Sequence, residues 1–264
     1  KCIRFKPTTN PIATFGILNG LKNVKSIFKY IKNFLFDWFP YLPSYEGFLF
    51  RLNSLNNVFP ELVKFLLKND KFKIAFNSEE NITLVDSLPI MLTKNSRSYK
   101  CKTANDISSI GYCSSKETYY YGLKVHLIAT FRNKKLATPK FFKVTKASIH
   151  DLTAIKEDLL TLKDTKILAD KAYIDKKTKH NLELIGSEIH TPIKLSKSKK
   201  ELSHDEEVYS KIVSSFRQSI EILFNWLIES SGIQIASKVR STKGLMVHVF
   251  GRFSACLFKY MFVF

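Results

Sequence analysis

Three carboxylates stand out because the elements predicted around them would bring them to one edge of a sheet. Asp86 and Asp170 each close an apolar run that predicts a strand, and Glu221 lies in a long segment of helical periodicity. Carboxylate oxygens suit Mg²⁺, which proteins often hold with only a few such groups. The set therefore predicts divalent-cation chemistry on a phosphodiester, in which two ions assist the attacking and the leaving oxygen.

Each of these acids, taken alone, also has an ordinary structural interpretation. An aspartate at a strand end commonly belongs to a turn, and a helical glutamate commonly forms a weak surface ion pair. Glu221 falls at the edge of the apolar stripe of its helix, with Arg217 one turn earlier on the same side. From there Arg217 could orient Glu221 or contact a phosphate. The catalytic interpretation therefore depends on the joint placement of the acids.

The elements that must position the acids follow from hydrophobic periodicity. Residues 17–73 show helical spacing interrupted by prolines, which predicts a helical N-terminal domain over residues 1–75, serving DNA binding or assembly. From residue 76 to residue 264 three strands, the last two forming a hairpin, are followed by alternating helices and strands, and residues 93–118 are interpreted as a polar loop. Strands are predicted at 81–86, 119–130, 136–145, 166–170 and 189–193, and helices at 150–160, 174–185 and 204–230. This order predicts an α/β fold, a mixed sheet with helices on its faces.

The charge balance indicates a polyanionic partner. Lysine and arginine number 42 against 23 acids, a formal net charge of +19. A membrane surface is the weaker alternative, because no segment reaches the roughly 20 uninterrupted apolar residues of a spanning helix. No secretory signal is visible either, so we expect a cytoplasmic protein that binds a nucleic acid and no membrane.

Basic side chains flank the acids along the chain. We expect them to contact DNA phosphates, which would position a duplex without reading its sequence. A solvated loop is the alternative for any one of them. They are Lys171, Lys194, Lys197, Lys199, Lys200, Lys238, Arg240 and Lys243.

Four segments resemble DDE transposases of bacterial insertion sequences, and within them the insertion-sequence 982 group. They are residues 85–90 (VDSLPI), 121–127 (YGLKVHL), 169–174 (ADKAYI) and 217–227 (RQSIEILFNWL). The resemblance covers about residues 40–255. Its most specific part is the Asp-Lys-x-Tyr element together with the Arg-x-x-x-Glu helix. The chain departs from related families at Ser214 and Ile228, where those families often carry Tyr and Lys.

The resemblance implies an RNase H-like catalytic domain whose first and fourth strands are adjacent. Asp86, Asp170 and Glu221 would be its metal triad, holding Mg²⁺ or Mn²⁺, with two ions expected when substrate is bound. It also implies terminal inverted repeats and target DNA as substrates, a homo-oligomer in the DNA complex, and a nucleoid-associated bacterial protein. Two alternatives stay open, a catalytically decayed DNA-binding derivative and an RNase H-like nuclease that cuts without strand transfer.

Overall fold

The protein, described by a computed structural model over residues 23–68, 81–173, 175–194 and 201–263, is built on a six-stranded mixed sheet. β1 is central: it pairs antiparallel with β3 and parallel with β5, and β5 pairs parallel with β6. β2 and β4 both pair with β3. The strands are β1 Ile82–Lys94, β2 Ser109–Cys113, β3 Thr118–Thr130, β4 Thr138–Lys146, β5 Lys166–Ala169 and β6 Glu188–His190.

Helices precede the sheet, cross between its strands and follow it. The longest helix of the described residues has 28 residues, and both of its ends are capped. Ser203 and Glu206 form a reciprocal capping box at its start, and Gly232 ends it in the left-handed conformation. The helices are α1 Val24–Phe34, α2 Tyr45–Ser54, α3 Val58–Leu67, α4 Asp151–Leu159, α5 Lys176–Glu183, α6 His204–Ser231, α7 Thr242–Met246 and α8 Arg252–Val263. A π-helical turn, Val247–Gly251, joins α7 to α8.

The two faces of the sheet bury different helices. Alternate residues of β1 point to opposite faces. Leu84 packs in one hydrophobic cluster with Ile220 of α6, while Val85 packs in another with Ile155 of α4. This mixed sheet with helices on both faces has the RNase H-like α/β architecture, so the predicted fold class is confirmed.

The N-terminal helices are present as predicted and pack against the C-terminal helices. Ile27, Phe48 and Phe59 share a hydrophobic cluster with Val247 and Ala255. α3 also contributes to the large cluster under the sheet. The N-terminal helices are therefore continuous in packing with the rest of the described chain, and the domain boundary at residue 75 stays a prediction.

The structure corrects the predicted course of the first strand. Asp86 lies inside β1, which continues through Pro89 to Lys94. β5 pairs with β1 only from Ile82 to Val85, so Pro89 faces no β5 partner that would need its missing N–H. Further along, the free edge of β1 is taken by the segment after α6, where the Met91 N–H donates to the Gln234 carbonyl at 2.7 Å.

The predicted polar loop at residues 93–118 was also wrong, since it contains β2. This five-residue strand pairs with the start of β3, from Ser109 opposite Gly122 to Cys113 opposite Thr118. Most other predicted bounds differ from the observed ones by one to three residues, as at β6, which ends at His190. None of the helices in the described ranges combines the length and apolar character that crossing a membrane requires.

Gly122 is required by the close approach of β1 and β3. A Cβ at this position would run into the backbone carbonyl oxygen of Ile90. We predict that Gly122→Ala lowers the free energy of unfolding by about 2 kcal/mol or more, because backbone cannot move aside as a side chain can. Gly47→Ala is the control. Its nearest contact would be a side-chain atom of Pro43 at 3.3 Å, and alanine has a higher helix propensity than glycine. Equal stability of the two variants in urea denaturation would contradict this account.

Candidate active site

Asp86 and Asp170 are brought together by the pairing of β1 with β5. Val85 lies opposite Ala169 in this parallel register; Asp86 follows Val85 within β1, and Asp170 directly follows the end of β5. Neighbouring strands are about 4.8 Å apart, and residues in register point to the same face. Both carboxylates therefore lie on the face that α6 covers.

The two carboxylates are oriented by the same local hydrogen bond. The backbone N–H of Ser87 donates to Asp86 Oδ1 at 2.7 Å, and that of Lys171 donates to Asp170 Oδ1 at 2.7 Å. Each aspartate thus has one oxygen held by its own backbone.

Arg217 of α6 bridges the two carboxylates. Its Nη2 lies 3.5 Å from Asp86 Oδ2, and its Nη1 lies 3.7 Å from Asp170 Oδ1. The exposed fraction of the side chain is 13% for Arg217, 19% for Asp86 and 48% for Asp170. The site is therefore closed around Asp86 and opens to solvent beside Asp170.

Burial makes the negative charge of Asp86 costly. It raises the pKa of this carboxyl from its usual value to about 6, against the lowering effects of the Ser87 N–H and of Arg217. The nearby carboxylates of Asp170 and Asp151 raise the pKa further. A site with this balance favours additional positive charge.

Glu221 lies one helical turn after Arg217, about 6 Å further along α6, and is exposed. Within the described part of the chain, no three side chains of His, Cys, Asp or Glu lie close enough together to hold a metal ion. The structure thus brings together two of the three predicted acids, and the role of Glu221 stays a prediction. The bridge from Arg217 to the aspartates was not anticipated, since the sequence pointed Arg217 to Glu221 or to a phosphate.

The basic residues predicted to contact DNA lie on the surface where they are described. Lys171, Lys194, Lys238, Arg240 and Lys243 are all exposed. Lys238 and Arg240 line a cavity of about 520 Å³ between the N-terminal helices and the segment that follows α6. Lys197, Lys199 and Lys200 lie outside the described residues.

Sequence reasoning missed a charged cluster on the opposite face of the sheet. Asp151, at the start of α4, accepts a salt bridge from Lys124 at 2.9 Å and lies 3.9 Å from His126. His126 is fully buried, as a core residue, and bonds Thr145 Oγ1 through Nε2 at 2.8 Å. Alternation of polar residues at Lys124 and His126 on β3 was the available signal. The cluster matters to the site because Asp151 adds to the negative field at Asp86.

Comparison with protein families shows which family has this arrangement of residues in its sequence. The profile described as "Transposase DDE domain" matches residues 76–241. The chain belongs to the DDE transposase family. No curated protein matches the chain. The matched range contains both aspartates, Arg217 and Glu221, and membership supports a transposase function with DNA as the partner.

The buried charge of Asp86 predicts an unusual pH dependence of this transposase. The folded-state pKa is raised, so the unfolded chain loses its proton first, and stability falls as pH rises from about 4 to about 6. At pH 7, the free energy of unfolding of Asp86→Asn should exceed that of the unmodified chain by at most about 3 kcal/mol. The gain should vanish below pH 4.

The measurement is urea denaturation in chelator at several pH values. Asp37→Asn, at an exposed position in the loop after α1, is the control and should change stability little. An Asp86→Asn protein that is less stable than the unmodified chain at pH 7 would rule out the unfavourable burial of this charge.

Proposed function

We propose that this chain is a transposase that cuts and rejoins DNA at the ends of an insertion sequence by metal-dependent phosphodiester chemistry, with Asp86, Asp170 and Glu221 as its acids. The observation that carries the proposal is the placement of Asp86 in β1 and of Asp170 directly after the paired strand β5, on one face, where Arg217 lies beside a carboxylate oxygen of each. Family membership supports the same assignment.

The donor set fits a hard divalent cation. Asp86 and Asp170 offer only carboxylate oxygens, the ligand type that Mg²⁺ and Mn²⁺ prefer. The raised pKa of Asp86 is relieved by any positive charge beside it. A pair of such ions, when bound, supplies activation of the attacking hydroxyl and stabilisation of the leaving oxygen.

The chain's own residues would divide the remaining work. The backbone N–H groups of Ser87 and Lys171 fix the two aspartates, so that little reorganisation is needed when DNA enters. Glu221, exposed on α6, would complete the acid set by turning its flexible side chain towards Asp170. Lys171, the exposed residue that follows Asp170, would bind a phosphate near the scissile bond.

The wider DNA surface would include the exposed cations on both sides of the site. Lys194 precedes α6, and Lys238, Arg240 and Lys243 follow it. On the motifs quoted above we assign the chain to the insertion-sequence 982 group, with terminal inverted repeats and target DNA as substrates. A homo-oligomeric complex, a cytoplasmic, nucleoid-associated location and a catalytic domain over residues 76–264 belong to the same proposal.

Cleavage of DNA tests the acids directly. On a duplex that carries the genomic ends flanking the gene, we predict Mg²⁺- or Mn²⁺-dependent strand cutting by the unmodified chain. Asp170→Asn should lower the cutting rate at least about 100-fold, because even residues that only support metal ligands cost 10- to 100-fold. Duplex binding should persist, since the substitution removes a negative charge.

Glu221→Gln should lose cutting to a similar degree. Glu229→Gln is its matched control, because Glu229 is also an exposed glutamate on α6, two turns later. Cutting by Glu221→Gln at the unmodified rate would remove Glu221 from the acid set. Tight binding with no cutting by any of these proteins would point instead to a decayed, DNA-binding derivative.

The exposed cations after α6 predict a salt-dependent, sequence-independent part of DNA affinity. Lys238→Gln and Lys243→Gln should each weaken binding by the same factor for duplexes of unrelated sequence. Each should also reduce the slope of log affinity against log salt concentration by about 1. Fluorescence anisotropy over a series of KCl concentrations measures this slope. Lys64→Gln is the control, since Lys64 pairs with Glu61 at 2.8 Å on α3. An unchanged slope in both test variants would exclude this surface from the interface.

A further inference from the structure

Arg217 occupies the position that a cation shared by the two aspartates would need. Its guanidinium nitrogen Nη2 lies 3.5 Å from an Asp86 oxygen, and its Nη1 lies 3.7 Å from an Asp170 oxygen. Only 13% of the Arg217 side chain is exposed, so this is no screened surface pair. In the DNA-free protein, the positive charge that balances the two carboxylates comes from the chain itself.

This placement puts Arg217 in competition with any divalent cation held by the same oxygens. Two positive charges within about 4 Å repel strongly in a site that is mostly closed to water. The distances of 3.5 and 3.7 Å are longer than those of a tight bidentate pair. The bridge is therefore looser than a tight bidentate pair, which favours its exchange for another partner.

We propose that Arg217 is a positioning residue that works as a latch: it bridges Asp86 and Asp170 in place of the metal when DNA is absent, and transfers to a DNA phosphate when the duplex enters. This inference rests on the proposed function. It adds a coupling between DNA binding and metal binding that the acids alone do not provide.

A phosphate is the partner that this guanidinium can exchange for the carboxylates. Arginine binds phosphate oxygens through two parallel N–H donors, much as it binds a carboxylate. The site opens beside Asp170, whose side chain is 48% exposed, and next to the exposed Lys171. A scissile phosphate entering there comes within reach of Arg217. By thermodynamic linkage, DNA must then raise metal affinity by the same factor by which metal raises DNA affinity.

Calorimetric titration of Mn²⁺ into the full chain tests the latch without relying on activity. The unmodified chain, Arg217→Gln and Arg217→Lys are compared, each alone and with a pre-cut duplex that ends at the element terminus, so that no cleavage accompanies the titration. Lys211→Gln is the control: it removes one positive charge from the same helix, at an exposed side chain paired with Glu207 at 3.7 Å. Circular dichroism checks that each variant is folded.

The latch predicts that Arg217→Gln binds Mn²⁺ about tenfold more tightly than the unmodified chain when DNA is absent. Arg217→Lys should fall between them, because a single ammonium cannot span both carboxylates. DNA should raise Mn²⁺ affinity less in Arg217→Gln than in the unmodified chain, while Lys211→Gln should behave as unmodified. If Arg217→Gln does not fold, the Arg217→Lys comparison decides the matter.

Two results would overturn the inference, and only one of them would also overturn the proposed function. Equal or weaker Mn²⁺ binding by folded Arg217 variants, with binding by the unmodified chain intact, would remove the latch and leave the proposed function standing. Absence of Mn²⁺ binding by every protein, with and without DNA, would overturn the proposed function together with the latch.

Discussion

The parallel pairing of β1 with β5 is the constraint on which the site depends. It fixes Asp86 and Asp170 at neighbouring positions on one face of the sheet, where two carboxylates repel each other. A positive charge between them offsets this repulsion, and Arg217 supplies it from α6. The helix is in turn held on the sheet by the apolar residues that surround Arg217 on its buried side.

Periodicity was sufficient to predict part of the framework that positions the acids. β3 and α6 were predicted within one residue of their observed bounds, because apolar residues alternate along the first and recur at helical spacing along the second. β2 could not be found this way. Its five residues lack a clear pattern, and the strand exists because the start of β3 offers it an edge to pair with.

The end of β1 and the position of Arg217 depend on contacts between distant parts of the chain. Pro89 suggested that the strand stops, yet its neighbour β5 is so short that the proline has no ladder to disrupt there. Likewise, Arg217 and Asp86 are 131 residues apart, so nothing local distinguishes a bridge to the aspartates from a pair with Glu221. The proximity of Asp86 and Asp170 was therefore predictable, whereas the partners of their side chains were not.

A crystal structure with Mn²⁺ and a pre-cut element end, recorded with anomalous scattering, tests the central claim most directly. Our account predicts an anomalous peak within bonding distance of both Asp86 and Asp170, with Arg217 moved from the carboxylates to a phosphate of the DNA. Ordered DNA with no peak between the two aspartates, or with peaks only at other carboxylates, would contradict it.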